Sequence, residues 1–347
     1  MWITIVWLLI LLPGWLAVAV AETPGGLEPL MDSVLACRTI GLIVREDYDE
    51  ALKLGDSLLH SDPALPDGYF IRAAVLNTRG IDFEDDLDLT AAEANFDSVQ
   101  SICSRLISAG LDSPWVHYYR GTILGYRSYW AFRNGQYLKG YLIGVDAARD
   151  FSATLELDST YYDAGLGLGT FLYYRSARAG LLRDICILTD QRDEGIALIA
   201  KAAVNGQFSR LPAQSALAWI DIEEGRCGEA IAKARELLTR YPDSRSFRWC
   251  LGRACLSTQR WSEAAAVYRE LLASVRAQAR NNHFNEVGCL HALARCYSEL
   301  SDWENALAVT EEALSLSLTP EIADRKAADL KRLREIHTQA QKRIKPH

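Results

Sequence analysis

The chain has 347 residues, 49% of them hydrophobic and 24% charged, and a formal net charge of −8. Such apolar content excludes a disordered chain, and the acidity argues against nucleic acid, which needs a broad basic face to neutralise phosphates. Eight cysteines are many for a cytosolic protein and permissible in an oxidising compartment.

The first 21 residues carry no charged side chain. Trp2 to Leu12 is an apolar run, Pro13-Gly14 interrupts it, and Ala19-Val20-Ala21 offers the small residues that signal peptidase requires. We read residues 1–21 as a secretory signal peptide, although no Lys or Arg precedes the run, and expect a mature chain from Glu22. The alternative is a retained inner-membrane anchor, because about 20 apolar residues can span a bilayer. Val34-Leu-Ala-Cys37 lies too far beyond the run, behind Glu28 and Asp32, to act as a lipoprotein box.

Beyond the signal the pattern predicts helices throughout. A first hairpin covers about 31–62, and the next helix about 67–79. The acidic loop Asp82-Phe-Glu-Asp-Asp-Leu-Asp88 follows, then a helix over about 90–109. Ser113-Pro114 opens a long aromatic helix to about 133, which Asn134-Gly135 breaks. Helices over about 137–156 and 161–178 come next, then an irregular apolar insertion at 179–190. Three regular hairpins are expected within 192–318, with a hinge-like insertion at Asn281-Asn282. Pro320 starts a last helix with a Lys- and Arg-rich face. The expected organisation is a signal or anchor at 1–21, a helical stack at 22–320, and a capping helix with a basic tail at 321–347. Residues 22–113 hold 18 Asp/Glu against 6 Lys/Arg, whereas 114–347 hold 27 against 31, so the stack has one acidic and one mildly basic end.

One phrase recurs: Tyr48-Asp-Glu-Ala51, Cys227-Gly-Glu-Ala230, Trp261-Ser-Glu-Ala264 and Trp303-Glu-Asn-Ala306. The second and third copies are 34 residues apart, a period that signals stacked helical hairpins. Twelve residues before each final Ala stand Thr39, Ala218, Gly252 and Ala294, mostly small residues suited to a close helix crossing. Twelve residues after it, Pro63 and Pro242 end the second helix in the first two copies. Leu251-Gly252, Trp261, Ala264 and Tyr268 resemble the tetratricopeptide repeat most clearly, and Leu293-Ala294, Tyr297, Trp303 and Ala306 repeat the pattern. Leu217-Ala218, Ala230, Leu237 and Pro242 give a third copy, Ala51, Leu58 and Pro63 a weaker one, and Leu168-Gly169 looks like another joint. The resemblance spans about 31–320 and implies an all-α solenoid of about six or seven hairpins, the middle ones stretched, with a C-terminal capping helix. Residues 161–174 are also similar to a phrase in uncharacterised bacterial repeat proteins. The family resemblance implies protein or peptide binding, with no particular partner.

Nothing in the sequence calls for catalysis, a cofactor or a metal. Gly165-Leu-Gly-Leu-Gly169 lacks the strand that a nucleotide-binding loop requires and fits helix packing better. The acidic loop has Leu87 where an EF-hand has Gly, so we expect a solvated loop rather than a calcium site. Six scattered histidines form no metal-ligand spacing, and Cys289 and Cys296 are about 10.5 Å apart along a helix, too far for a disulfide. Most cysteines are expected to be small buried residues.

The strongest functional signal is aromatic. Ten of 15 tyrosines lie between 118 and 174. In such a stack the first helices line a concave face, and fixed offsets from each close-packing residue give Phe70, Tyr118, Thr122, Tyr173, Trp219, Trp249, Arg253, His291 and Arg295 as groove residues. Aromatics and arginines are typical peptide-binding anchors. The abnormal length of the middle repeats favours core packing for the tyrosines of 118–141, and the regular repeats favour the groove for Trp219, Trp249, Arg253 and Arg295. The reading is an exported, non-enzymatic scaffold in a bacterial periplasm or cell envelope that grips a protein segment, with no nucleic acid involved. The alternative is a membrane-anchored envelope component acting through its convex surface, with membrane contact only if residues 2–21 are retained.

Overall fold

A computed structural model describes residues 32–178 and 189–344. The signal segment, most of the 179–190 insertion and Cys186 lie outside the described residues. The described residues form helices and no strands. In order these are α1 (Ser33–Val44), α2 (Tyr48–Ser61), α3 (Asp67–Phe83), α4 (Leu89–Ser108), α5 (Pro114–Arg133) and α6 (Tyr137–Leu157). There follow α7 (Ala164–Ala177), α8 (Arg192–Asn205), α9 (Arg210–Glu223), α10 (Cys227–Arg240) and α11 (Arg245–Ser257). The last are α12 (Trp261–Arg276), α13 (Phe284–Glu299), α14 (Trp303–Ser315), α15 (Pro320–Arg325) and α16 (Ala327–Ile344).

Five hairpins turn by one device. The residue two before the second helix is left-handed in each: Glu46, Gly135, Gly225, Gln259 and Ser301, with φ between 58° and 78°. The next N–H then reaches back into the first helix, Asp47 to the Leu42 carbonyl, Gln136 to Ala131, Arg226 to Asp221, Arg260 to Cys255 and Asp302 to Tyr297, at 2.7–2.9 Å. This is the Schellman stop, which satisfies otherwise orphaned carbonyls. The recurring alanines Ala51, Ala230, Ala264 and Ala306 are all 0% exposed, so the second helix of each hairpin lies close against its neighbours. Gly252 does the same from the first helix. A Cβ there would lie 2.9 Å from the Tyr268 ring of α12.

The middle units are stretched, as the sequence implied. Helices α5 and α6 run for 20 and 21 residues and pack along their length. Gly121 admits the Phe151 ring, and Ser128 Oγ donates to the Gly140 carbonyl at 2.8 Å. Helix α7 pairs with α8 through glycines: a Cβ on Gly169 would stand 2.5 Å from the Gly195 carbonyl oxygen, and one on Gly195 2.5 Å from that of Gly169. The Gly165–Gly169 run is therefore a packing surface inside a helix. Here the structure differs from expectation: α8 belongs to the α7 unit, so the three regular hairpins begin at α9. The final helix is also two helices, α15 and α16, meeting at Lys326, and α16 buries a stripe of Leu330, Leu333, Ile336 and Ala340.

The tyrosines of 118–141 divide. Tyr118 and Tyr119 are core residues, whereas Tyr129, Tyr137 and Tyr141 are exposed at the α5–α6 turn. Of seven described cysteines, six are buried, Cys37 is exposed, and none is bridged.

The stack bends until its early turns touch its later ones. Ile40 and Val44 of α1 pack on Leu211, Leu237 and Phe247. Arg245, at the start of α11, pairs with Glu46 of the α1–α2 turn and with Asp82 at the end of α3. Arg280 and Arg325 reach the same α3–α4 turn. The acidic loop is thus only partly solvated, which corrects the expectation: Asp86 and Leu87 are exposed, but the other aspartates are not. The side chains of Asp82, Asp85 and Asp88 are only 11–12% exposed; Arg245 and Arg280, from more than 150 residues away, pair with them, and Arg79 of α3 also grips Asp88. The acidic and basic ends of the stack meet each other.

Candidate functional site

The expected groove residues fall into three groups. Phe70, Tyr118 and Tyr173 are 5%, 6% and 1% exposed and belong to the core, which corrects their assignment to a binding surface. The cause is local. Asp163, just before α7, gathers the α8–α9 connection: Oδ1 accepts from the N–H of Phe208 at 2.8 Å, from the N–H of Ser209 at 2.7 Å and from Ser209 Oγ at 2.8 Å, while Oδ2 accepts from the N–H of Gln207 at 3.1 Å. That places the Phe208 ring 5.8 Å from Tyr118, with Tyr161 at 5.2 Å on the same ring and Phe70 at 6.1 Å. Burial raises the Tyr118 and Tyr161 phenols well above their usual range, so both are neutral. Thr122 turns its hydroxyl back to the Tyr118 carbonyl at 2.8 Å. Tyr173 donates its hydroxyl to Glu224 at 2.9 Å, with its ring enclosed. The aromatic face of the N-terminal and middle repeats is therefore closed by the chain itself.

His291 forms the second group. It is half-buried, and its Nδ1 lies 3.2 Å from an Asp329 oxygen on α16. Hydrogen bonding from His291, against the cost of burial and with help from Lys326, lowers the Asp329 carboxyl to about 2. The imidazole thus serves the C-terminal cap. Lys326 also sits over Gly288, where a Cβ would meet its Nζ at 3.3 Å and Trp249 at 3.8 Å.

The third group stays open. Trp219 and Trp249 are half-buried, with their inner edges on the C-terminal core and Trp249 edge-on to Tyr268 at 5.9 Å. Arg253 and Arg295 are exposed, and among the described residues neither forms an ion pair with a carboxylate. The Arg295 guanidinium lies 5.1 Å from the Trp261 ring, which holds the planar fork in place without neutralising it. Two half-buried indoles and two exposed arginines thus stand on the regular hairpins.

Sequence reasoning missed a second cluster. The turn of Asp82–Asp88 lies against Arg245, Arg280, Asn282, Asn285 and Arg325. Its only trace in the sequence was the opposite charge of the two ends. Among the described residues there is no group of three side chains placed to hold a metal, and no helix long and apolar enough to cross a membrane.

Family models of the tetratricopeptide repeat match residues 215–281 and 289–323. Residues 215–281 and 289–323 are tetratricopeptide repeats. The matched residues are α9 to α14, the regular hairpins that carry Trp219, Trp249, Arg253 and Arg295, and the same architecture continues through the unmatched repeats. Among solved structures, a chain of the APC/C hetero-tetramer Cut9–Hcn1 is similar over 89% of this chain and 49% of its own length, at 16% identity and a TM-score of 0.59. This chain thus spans about half the length of that one. The C-terminal part of a repeat-containing protein from Cytophaga hutchinsonii is similar over 83% of this chain and 98% of its own, at 16% identity and a TM-score of 0.42. A tetratricopeptide repeat protein from Parabacteroides merdae is similar over 87% and 98%, at 13% identity and a TM-score of 0.41. No curated protein sequence matches the chain.

Proposed function

We propose that this repeat protein is a non-enzymatic scaffold that captures an acidic protein segment on the concave face of its C-terminal repeats. The observation that carries the reading is the pair Arg253 and Arg295, exposed and without carboxylate partners among the described residues, at equivalent positions of successive hairpins. Elsewhere in the chain most arginines near carboxylates are spent on ion pairs, as Arg72, Arg79, Arg120 and Arg127 are. Trp219 and Trp249 would supply the apolar anchors, and guanidinium forks the charge recognition. Export to a bacterial envelope, by cleavage before Glu22, completes the proposal and rests on the uncharged run of residues 2–21.

The test is capture from envelope extract on immobilised residues 22–347, comparing the native sequence with Arg253→Ala/Arg295→Ala. A partner retained by the first and depleted at least several-fold on the second, with equal helicity and melting, supports the reading. Equal retention by a folded double variant removes it. Mass spectrometry of the native protein checks export: a terminus at Met1 in the membrane fraction replaces cleavage with anchoring.

A further inference from the structure

The contact between the α3–α4 turn and the later repeats has the chemistry of peptide recognition rather than of solenoid stacking. Stacking elsewhere in this chain is helix on helix, with the buried alanines Ala51, Ala230, Ala264 and Ala306 at its centre. Here side chains from one edge of the later repeats grip a turn. Arg245 Nε donates to Asp82 Oδ1 at 3.0 Å, and its Nη2 donates to the other oxygen of the same carboxylate. Arg280 Nη2 donates to Asp88 at 2.6 Å, and Arg325 Nη2 to Glu84 at 2.5 Å. Two amides read the backbone: Asn285 Nδ2 donates to the Asp82 carbonyl at 2.7 Å and Asn282 Nδ2 to the Glu84 carbonyl at 3.0 Å. Carboxylate forks combined with side-chain amides on main-chain carbonyls bind a segment by its charge and its backbone, with little dependence on apolar side chains.

Three further observations mark this contact as separable. It is not closely packed: an open space of about 540 Å³ lies along it, bordered by Phe83, Arg245, Gln278 and Arg280. It consists mainly of charge pairs, which salt weakens far more than it weakens a core. The turn is also held in a costly shape. Glu84 has a left-handed backbone, with φ of 55°, and puts its carboxylate on Arg325.

We infer that the edge formed by Arg245, Arg280, Asn282, Asn285 and Arg325 is a recognition surface for acidic peptide segments, and that the chain's own 82–88 turn is its built-in, displaceable occupant. The external partner is a protein segment with carboxylates spaced as in Asp82-Phe-Glu-Asp-Asp-Leu-Asp88. While the turn is in place, the apparent affinity for that partner is reduced by the fraction of molecules with a vacant edge. The inference is independent of the concave-face proposal, because the two surfaces use different arginines.

The experiment measures binding of a fluorescent peptide copying residues 80–90 to the full chain at low ionic strength. Three proteins are compared: the native sequence, Asp82→Asn/Glu84→Gln/Asp85→Asn, and that triple variant with Arg280→Ala/Arg325→Ala added. Weakening the internal occupant is expected to tighten peptide binding by at least about tenfold. The added arginine changes should abolish the gain, as should raised salt. Arg253→Ala/Arg295→Ala in the triple variant should leave the gain intact. A helical triple variant that binds no better than the native chain overturns the inference, and so does a gain that depends on Arg253 and Arg295. Should the triple variant fail to fold, hydrogen exchange on the native chain decides. Amides of 82–88 should exchange several-fold faster when salt is raised, while α12 is unchanged; a turn unaffected by salt overturns the inference.

Discussion

Replacing Gly169 with alanine is the sharpest test of how the middle of the stack is held. The new Cβ would stand 2.5 Å from the Gly195 carbonyl oxygen, 2.8 Å from Ile199 Cγ1 and 3.2 Å from the Ile199 nitrogen. Two of those three atoms are backbone, so no rotamer change clears the clash, and α7 and α8 must move apart by roughly 1 Å. Separation loosens Tyr173 and Ile199, which are 1% and 0% exposed. Overpacking of this kind costs about 1–3 kcal/mol, and the value here should lie at the upper end because backbone meets backbone. Helix propensity acts the other way, since Gly→Ala in a helix is worth about 1 kcal/mol. Gly228→Ala isolates that second effect: it lies in the first turn of α10 with nothing within 4 Å of its added Cβ. Thermal unfolding followed by circular dichroism should show Gly169→Ala destabilised by about 2 kcal/mol net and Gly228→Ala stabilised by up to about 1 kcal/mol. Hydrogen exchange should localise the first loss to α7 and α8. A Gly169→Ala protein that melts at or above the native temperature would refute the glycine-to-glycine crossing and the register assigned to α7 and α8.

Gly252→Leu should destabilise by about 1–3 kcal/mol in thermal melts, because even a Cβ meets the buried Tyr268 ring. Ser301→Gly should stabilise by about 0.5–1 kcal/mol, since Ser301 is exposed and left-handed at φ 58°. Asp163→Ala should cost about 3 kcal/mol in chemical denaturation, because it strips the acceptor from three backbone N–H groups and releases Phe208 from Tyr118. The closing contact should tighten on mild acidification. Burial, then the nearby Asp82 charge, pushes the Glu46 carboxyl from 4.5 up to about 7, against Arg245 and Arg248. The closed form therefore holds more protons than an open one between those values, and closure gains as pH falls from about 8 to about 5.5. Asp88, lowered against its own burial by Arg79 and Arg280, stays charged in that window. Small-angle scattering should show a smaller radius of gyration at the lower pH, and Glu46→Gln should flatten the response.

The hairpins were legible because their signals are local. An alanine that must be buried, an aromatic at a bend and a proline after a helix can be read within one period, and α9 to α14 follow them. Boundaries moved where a distant partner intervened: α3 runs to Phe83, four residues beyond expectation, because its end is held by Arg245 and Asn285. The groove offsets identify which helix face is concave but not what packs over it. They were therefore uninformative for Phe70, Tyr118 and Tyr173, which Phe208 and neighbouring helices cover, and compatible with the exposure of Arg253 and Arg295. The meeting of the two ends was invisible because no short-range pattern links Asp82 to Arg245, 163 residues apart. Only the opposite charge of the two segments pointed that way.

That meeting changes how the molecule can come apart. In an open row of hairpins the first and last units have one neighbour each, and unravelling starts there. Here α1 rests on α9 to α11, and the α3–α4 turn is tied to the starts of α11 and α13 and to the end of α15, so the row has been made into a hoop. A single backbone cut between the tied points leaves both pieces fastened at the clasp, and two failures, rather than one, are needed to free either of them.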